Sequence, residues 1–183
     1  MLIARTVGAF LLLSSPFASA DERLVMDPPI GWKVVVAEER EDSVIIEYAK
    51  ADDQTPTEGI SLQATERRDD LGIKRLMEIV VAGTREICQE FDARPFQIEG
   101  ASSEFQSLGL MIVCGRNRET GQGEVRLARG IEGHDNLYVV QKSWRVAPFT
   151  AAEELPVSVD DRSLWLRYLA RGRVCDTAAD DCP

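Results

Sequence analysis

Leu108-Gly109-Leu110-Met111-Ile112-Val113-Cys114 is the longest unbroken apolar run in the chain after its first twenty residues. Seven uncharged residues, flanked by Gln106-Ser107 and by Gly115-Arg116-Asn117, are few for a helix and suit a strand covered on both faces. The run is expected to be the central strand of a sheet, and such a sheet needs apolar layers to cover it.

The first of those layers is legible upstream. Ile73, Leu76, Met77, Val80, Thr84, Ile87, Cys88 and Phe91 recur at helical spacing, while Lys74, Glu78, Arg85 and Gln89 fall on the opposite side. Asp69 or Asp70 is the expected N-cap, and Pro95 stops the pattern. This stripe has to lie on a sheet, and it points Cys88 inward near the helix C-terminus, within reach of a cysteine on the strand below. A second helix is expected from Ser158-Val159-Asp160-Asp161, with Leu164, Trp165, Tyr168 and Leu169 as its buried stripe and Gly172 as its stop. Thr150-Ala151-Ala152-Glu153 reads as a capping box that opens a short turn ended by Pro156.

Between these helices the pattern is one of strands. Residues 33–37 and 43–50 form a hairpin about Glu38-Glu39-Arg40-Glu41-Asp42, and a third strand covers 59–64. After the long helix come a weak polar strand at 96–105, the apolar strand at 108–116, and strands at 123–131 and 137–146. Tyr138, Val140, Trp144 and Val146 share one face of the last strand, broken only by Lys142. The expected fold class is α+β: an antiparallel sheet of about six or seven strands covered by one long helix and a C-terminal helix.

The first twenty residues have a different character. One early cation, Arg5, precedes the apolar run Val7 to Leu13, and Ala18-Ser19-Ala20 supplies small residues at the exit. This is the plan of a secretory signal peptide cut after Ala20, with an apolar core too short to span a bilayer. The chain is thus expected to be periplasmic or secreted, with one α+β domain over residues 21–172 and a short tail over 173–183. Removing Arg5 leaves 20 Lys and Arg against 31 Asp and Glu, a net charge near −11 that argues against nucleic acid and anionic membrane as partners. No membrane-spanning stretch is seen.

Four cysteines remain, Cys88, Cys114, Cys175 and Cys182, and an even number in an oxidising compartment implies disulfides. Of the three possible pairings, the expected one joins Cys88 to Cys114, helix end to strand, and Cys175 to Cys182, which closes the tail. Zinc is disfavoured because no Cys-x-x-Cys spacing is present.

Asp27-Pro28-Pro29-Ile30-Gly31-Trp32 opens the domain with two prolines and a glycine before an aromatic residue. With this motif and the element order of three strands, a long helix, four strands and a closing helix, the chain resembles the PsbP-like fold. The resemblance spans roughly residues 24–171. It implies a binding or assembly module rather than a catalyst, and it transfers no functional residue; Trp32 is expected to pack under the helix.

Candidate chemistry is sparse. His134, the single histidine, lies in the turn Glu132-Gly133-His134-Asp135-Asn136 and has no ligand pair at established spacing. No Gly-x-Ser-x-Gly nucleophile turn occurs, and no cofactor or metal is expected. Arg116, Arg118, Arg126 and Arg129, with Arg145, gather on the last strands and form, with His134, the candidate binding surface. The competing reading is that they pair with Glu119, Glu124 and Glu132 across hairpins.

The function expected from all this is an exported, non-catalytic module that binds another exported or envelope protein or helps assemble an envelope complex. Two alternatives stand beside it. One is a periplasmic immunity or inhibitor protein acting on a toxin or envelope enzyme; the other is a small-molecule binder or weak hydrolase with a cavity between the long helix and the sheet.

Overall fold

A computed structural model describes residues 22–55, 57–98, 105–150 and 154–176. Seven antiparallel strands form one sheet in the order β2 (Trp32–Glu39), β3 (Ser43–Lys50), β4 (Glu58–Glu66), β8 (Asn136–Val146), β7 (Gly123–Glu132), β6 (Ser107–Cys114) and β5 (Phe91–Phe96). Helix α1 (Ile73–Ile87) lies on one face and α2 (Val159–Arg171) on the other. A two-stranded antiparallel ribbon, β1 (Glu22–Val25) with β9 (Arg173–Asp176), completes the described elements.

The α+β class and the antiparallel sheet are as the sequence implied. The central strand is not. β8 occupies the middle of the seven, while the apolar run at 108–114 forms β6, one place from the edge. It is apolar because α1 packs over Leu108 and Leu110 while Met111 on the opposite face joins the layer around α2.

Alternation along β7 and β8 separates the two cores. Ala128, Leu137 and Val139 meet Leu71, Ile73, Leu76 and Met77 of α1 and its approach. Val125, Leu127, Val140 and Trp144 meet Val157 and Leu169 on the α2 side. Gly130 lets α1 come close: a Cβ there would lie 2.7 Å from Ile73 Cγ1.

Both helices start and stop differently from the sequence expectation. The N-cap of α1 is Gly72, not Asp69 or Asp70, because a turn from Arg68 to Leu71 holds those aspartates ahead of the helix. The missing side-chain cap comes from across the sheet: Glu132 Oε2 accepts the Ile73 N–H at 3.1 Å. The helix ends at Ile87, and Glu90, at φ 42°, turns the chain so that Phe91 begins strand β5 instead of continuing the helical stripe. The expected strand at 96–105 is therefore β5 at Phe91–Phe96, with Pro95 inside it, and residues 99–104 lie outside the described set.

In α2, Ser158 caps as expected, its Oγ accepting the Asp161 N–H at 3.0 Å. Leu164 is exposed rather than buried, whereas Trp165, Tyr168 and Leu169 do face the sheet. Gly172 ends the helix with a negative φ, so its role is room, not left-handed backbone: a Cβ would sit 3.3 Å from Met26 Sδ. Trp32 packs on Trp165 of α2, at 5.6 Å between ring centroids, not on α1. Residues 151–153 of the expected capping box are outside the described residues.

Cys88 and Cys114 form a disulfide across 26 residues, tying the end of α1 to the end of β6. Cys175 is also disulfide-bonded, and Cys182 lies outside the described residues. Residues 173–176, expected in a tail, are strand β9, and Val174 is buried with Ile131 and Tyr138.

The β1–β9 ribbon is anchored by a buried carboxylate. Glu22, 6 % exposed, accepts the backbone N–H groups of His134, Asp135 and Asn136 at 2.7, 3.0 and 2.8 Å. Three charge-assisted bonds satisfy donors that the tight β7–β8 turn would otherwise leave open.

Candidate functional site

The five arginines do not form one surface. Arg129 is 2 % exposed. It sits on the α2 face of β7 in the row Val125, Leu127, Arg129, Ile131, and its Nη1 donates to the carbonyls of Leu169, Ala170 and Gly172 at 2.8, 3.2 and 2.7 Å. Its Nε donates to Ser107 Oγ at 3.0 Å. Arg129 is thus the C-cap of α2 from within the core, which corrects its assignment to a binding surface. Arg118 serves the other helix, donating through Nη1 to the Glu86 carbonyl at the end of α1 at 2.7 Å. Arg126 pairs with Glu124 on its own strand at 2.8 Å, two residues along rather than across a hairpin. Arg116 is exposed, and His134 is an exposed turn residue with its ring edge against Phe105. Among the described residues no group of His, Cys, Asp and Glu could hold a metal ion.

What the fold does build is an unusual half-sheet around β2, β3 and β4. Helix α1 lies over β6, β7 and β8, and among the described residues no helix covers the same face of β3 and β4. Apart from Ile45, the residues there are short or polar, among them Gly59, Ser61 and Gln63 on β4, Glu47 on β3, Gln141 and Ser143 on β8. All of these but Gln63 border a recess of about 300 Å³ whose far wall is made by Glu124, Arg126 and Arg145. Gln141 Oε1 is buried there without a hydrogen-bond partner, the single such side-chain atom among the described residues.

At the outer side of this half-sheet, β2 is an edge. Val34, Val35 and Val36 are 53, 47 and 38 % exposed, and a bulge at this point turns Val35 toward the recess. Ile30, just before the strand, is fully exposed. The opposite edge, β5, is blunted by Pro95, which has no N–H, and by the exposed Asp92–Arg94 pair. Among the described residues, only one edge of the sheet is therefore left open and apolar.

The chain's three tryptophans hold that edge in place. Trp32, Trp144 and Trp165 surround Lys142, whose Nζ lies 4.8, 4.8 and 4.5 Å from their ring centroids. The Lys142 side chain is 0 % exposed and donates to Glu58 Oε2 at 2.7 Å, while Glu58 Oε1 accepts from Lys50. Burial pushes the Lys142 ammonium down to about 8. Burial also works to raise Glu58, yet the bonds from Lys142 and Lys50 outweigh it and hold the carboxyl below its usual range. Wholly enclosed, Lys142 cannot meet an outside substrate. It clamps the first residue of β2 to β4, β8 and α2.

This clamp has a pH signature. Because the folded state binds the Lys142 proton less tightly than the unfolded chain does, its contribution to stability grows as pH rises above 8 and is lost as pH falls through 8. Between pH 8 and 10 the gain is expected to be about 2 kcal/mol. Lys142→Met should remove that rise and lower stability at pH 7 by about 2 kcal/mol, because the mostly buried Glu58 is left with Lys50 alone. Urea unfolding of both proteins at pH 7, 8, 9 and 10 checks it, and parallel pH dependence in the two would refute the assignment.

Comparison with known proteins is limited to structure. The Ran-binding protein Mog1p of Saccharomyces cerevisiae superposes with a TM-score of 0.53 over 87 % of this chain and 97 % of Mog1p, at 13 % identity. The two share a fold. At that identity the likeness extends to architecture and no further. No protein-family model and no curated protein matches the sequence.

Neither the open edge nor the tryptophan clamp was foreseen from the sequence. Lys142 did carry a signal, as the lone cation in an otherwise apolar row, and Arg129 carried the same one on β7. The three adjacent valines read as a buried strand because β-branched runs usually are. Nothing local marks β2 as an edge, since edge position depends on which strand fails to gain a second neighbour.

Proposed function

We propose that this chain is an exported, non-catalytic protein-binding module of PsbP-like type, which takes an extended segment of a partner protein alongside β2. The observation that carries this reading is the asymmetry of the two edges: β5 is protected, and β2 presents Val34-Val35-Val36 to solvent with no second neighbouring strand among the described residues. Natural sheets rarely leave such an edge without use.

The partner segment should be apolar in alternate positions and basic at its flank. Glu39, Glu41 and Glu47 are exposed around the β2–β3 hairpin, and the chain carries a net charge of −10. The same charge disfavours a second copy of this chain as the occupant. The signal-peptide pattern of residues 1–20 supports an export route and hence a partner in the periplasm or outside the cell.

A photo-crosslinker placed at position 35 of the mature protein, in envelope extract, is expected to trap one predominant partner, with the crosslink mapping to an extended basic segment. Val34→Lys with Val36→Lys should abolish the trapping and leave the melting temperature within a few degrees of the parent. Crosslinking only between copies of this chain, or trapping indifferent to the lysines, would overturn the proposal.

A further inference from the structure

Glu47 differs from the other charged groups of the uncovered half-sheet. Of the three carboxylates around the recess, Glu58 holds Lys50 and Lys142, and Glu124 holds Arg126. Glu38, on the same face of β2, holds Arg40, and Lys33 gives its Nζ to the Ala51 carbonyl at 2.9 Å. Glu47 is exposed and makes no ion pair or side-chain hydrogen bond among the described residues.

Register fixes its place relative to the open edge. Glu47 pairs with Val36, and the bulge adds Val35 on the same face, so two exposed valines separate this carboxylate from the outside of the sheet. Hydrogen bonds at the two ends of the hairpin show which way the β2 backbone turns. The Gly31 carbonyl accepts the Ala51 N–H, and the Arg40 N–H donates to the Ser43 carbonyl, both at 2.8 Å. Alternation from those pairs directs Lys33, Val36 and Glu38 toward β3 and turns the N–H and C=O groups of Val34, Ala37 and Glu39 outward. A segment added there bonds to Val34 and Ala37 and brings one side chain opposite the bulge, on the recess side of the sheet.

Strands lie about 4.8 Å apart, so that side chain starts about 9.6 Å from Glu47. Short side chains stop over the valines. A lysine or arginine lays its methylene stem along them and carries its cation on to the carboxylate. We infer that Glu47 selects a lysine or arginine in the partner's segment, at the position opposite Val35 and Val36. This rests on β2 being the docking edge and adds the one partner side chain that the sheet face recognises. The apolar cavity expected under α1 does not compete with it: Ala128, Leu137 and Val139 fill that space against the helix.

The test takes the mature protein and a capped peptide, Thr-Val-Thr-Val-Lys-Val-Thr-Val-Thr, which reads alike in both directions and so presents its lysine in either strand orientation. Two further peptides carry norleucine or glutamate at the centre. Amide chemical shifts of Val34 and Ala37, followed up to about 10 mM peptide, register affinities down to the millimolar range. The lysine peptide is expected to bind about threefold more tightly than the norleucine peptide, as suits an exposed ion pair, and about tenfold more tightly than the glutamate peptide. Glu47→Lys should invert the order of the lysine and glutamate peptides. Glu41→Lys makes the same change of net charge in the hairpin turn and should keep their ratio within about twofold of the parent's. If all three peptides bind β2 alike, or if Glu41→Lys moves the ratio as far as Glu47→Lys, the role of Glu47 is refuted while the docking edge stands. If no peptide shifts Val34 and Ala37, the docking edge itself falls and this inference with it.

Discussion

Arg129→Met is expected to lower the unfolding free energy by about 4 kcal/mol, a large share of the stability of a domain this size. The guanidinium gives Nη1 to three carbonyls at the end of α2 and Nε to Ser107. Methionine fills much of the volume but leaves those carbonyls buried without donors, and an unmet buried acceptor costs more than the bond was worth. Burial lowers the Arg129 pKa from its ordinary value, but from so high a start that the group stays charged across the accessible range. Arg129→Lys, which supplies the charge without the fork, should recover part of the loss. Arg116→Met, on the exposed surface, should change stability by about 0.5 kcal/mol or less. Guanidinium unfolding of the three variants checks the order, and equal effects at positions 129 and 116 would refute the buried cap.

The second large effect belongs to Cys88–Cys114. Replacing both cysteines with alanine should cost about 3 kcal/mol, the loop-closure value for a separation of 26 residues. The loop encloses β5 and β6, so its release loosens the blunted edge and the C-terminal end of α1 while leaving β2, β3 and β4 untouched. Hydrogen exchange should therefore quicken in residues 88–98 and stay near parent rates in the β3–β4 pair. A uniform acceleration over the whole sheet would contradict that picture.

These two residues mark the boundary of what a sequence shows. The Cys88–Cys114 pair was readable because helix periodicity fixes the inward face and one apolar strand carries the only nearby cysteine. Arg129 was not, because it looks like its neighbours Arg126 and Arg118 until strand alternation is applied: Arg126 shares a face with Ala128 and Gly130, Arg129 with Leu127 and Ile131. Strand order was out of reach for a related reason. Apolar content tells how well a strand is covered, and β6 is covered well while lying near the edge; β8 is central because β4 returns to it across the long helix. The helix N-cap was misplaced for want of a tertiary term, since the group that caps Ile73 is Glu132, fifty-nine positions away. The recess and the open β2 edge are absences of cover, and local pattern has no signature for what fails to lie above it.

The ribbon of β1 and β9 carries one last consequence, for the order in which the chain can finish folding. It pairs Glu22 with Asp176 and buries Val174 against Tyr138, so its two halves come from opposite ends of the described chain. Contacts of such separation form late, after the loops between them have been closed at their entropic cost. Until β9 arrives, β1 has no partner strand, and the Glu22 carboxylate that pins the β7–β8 turn is held by less. During synthesis, then, the seven-stranded sheet can assemble first, and the ribbon closes over it as a final latch whose two ends open together.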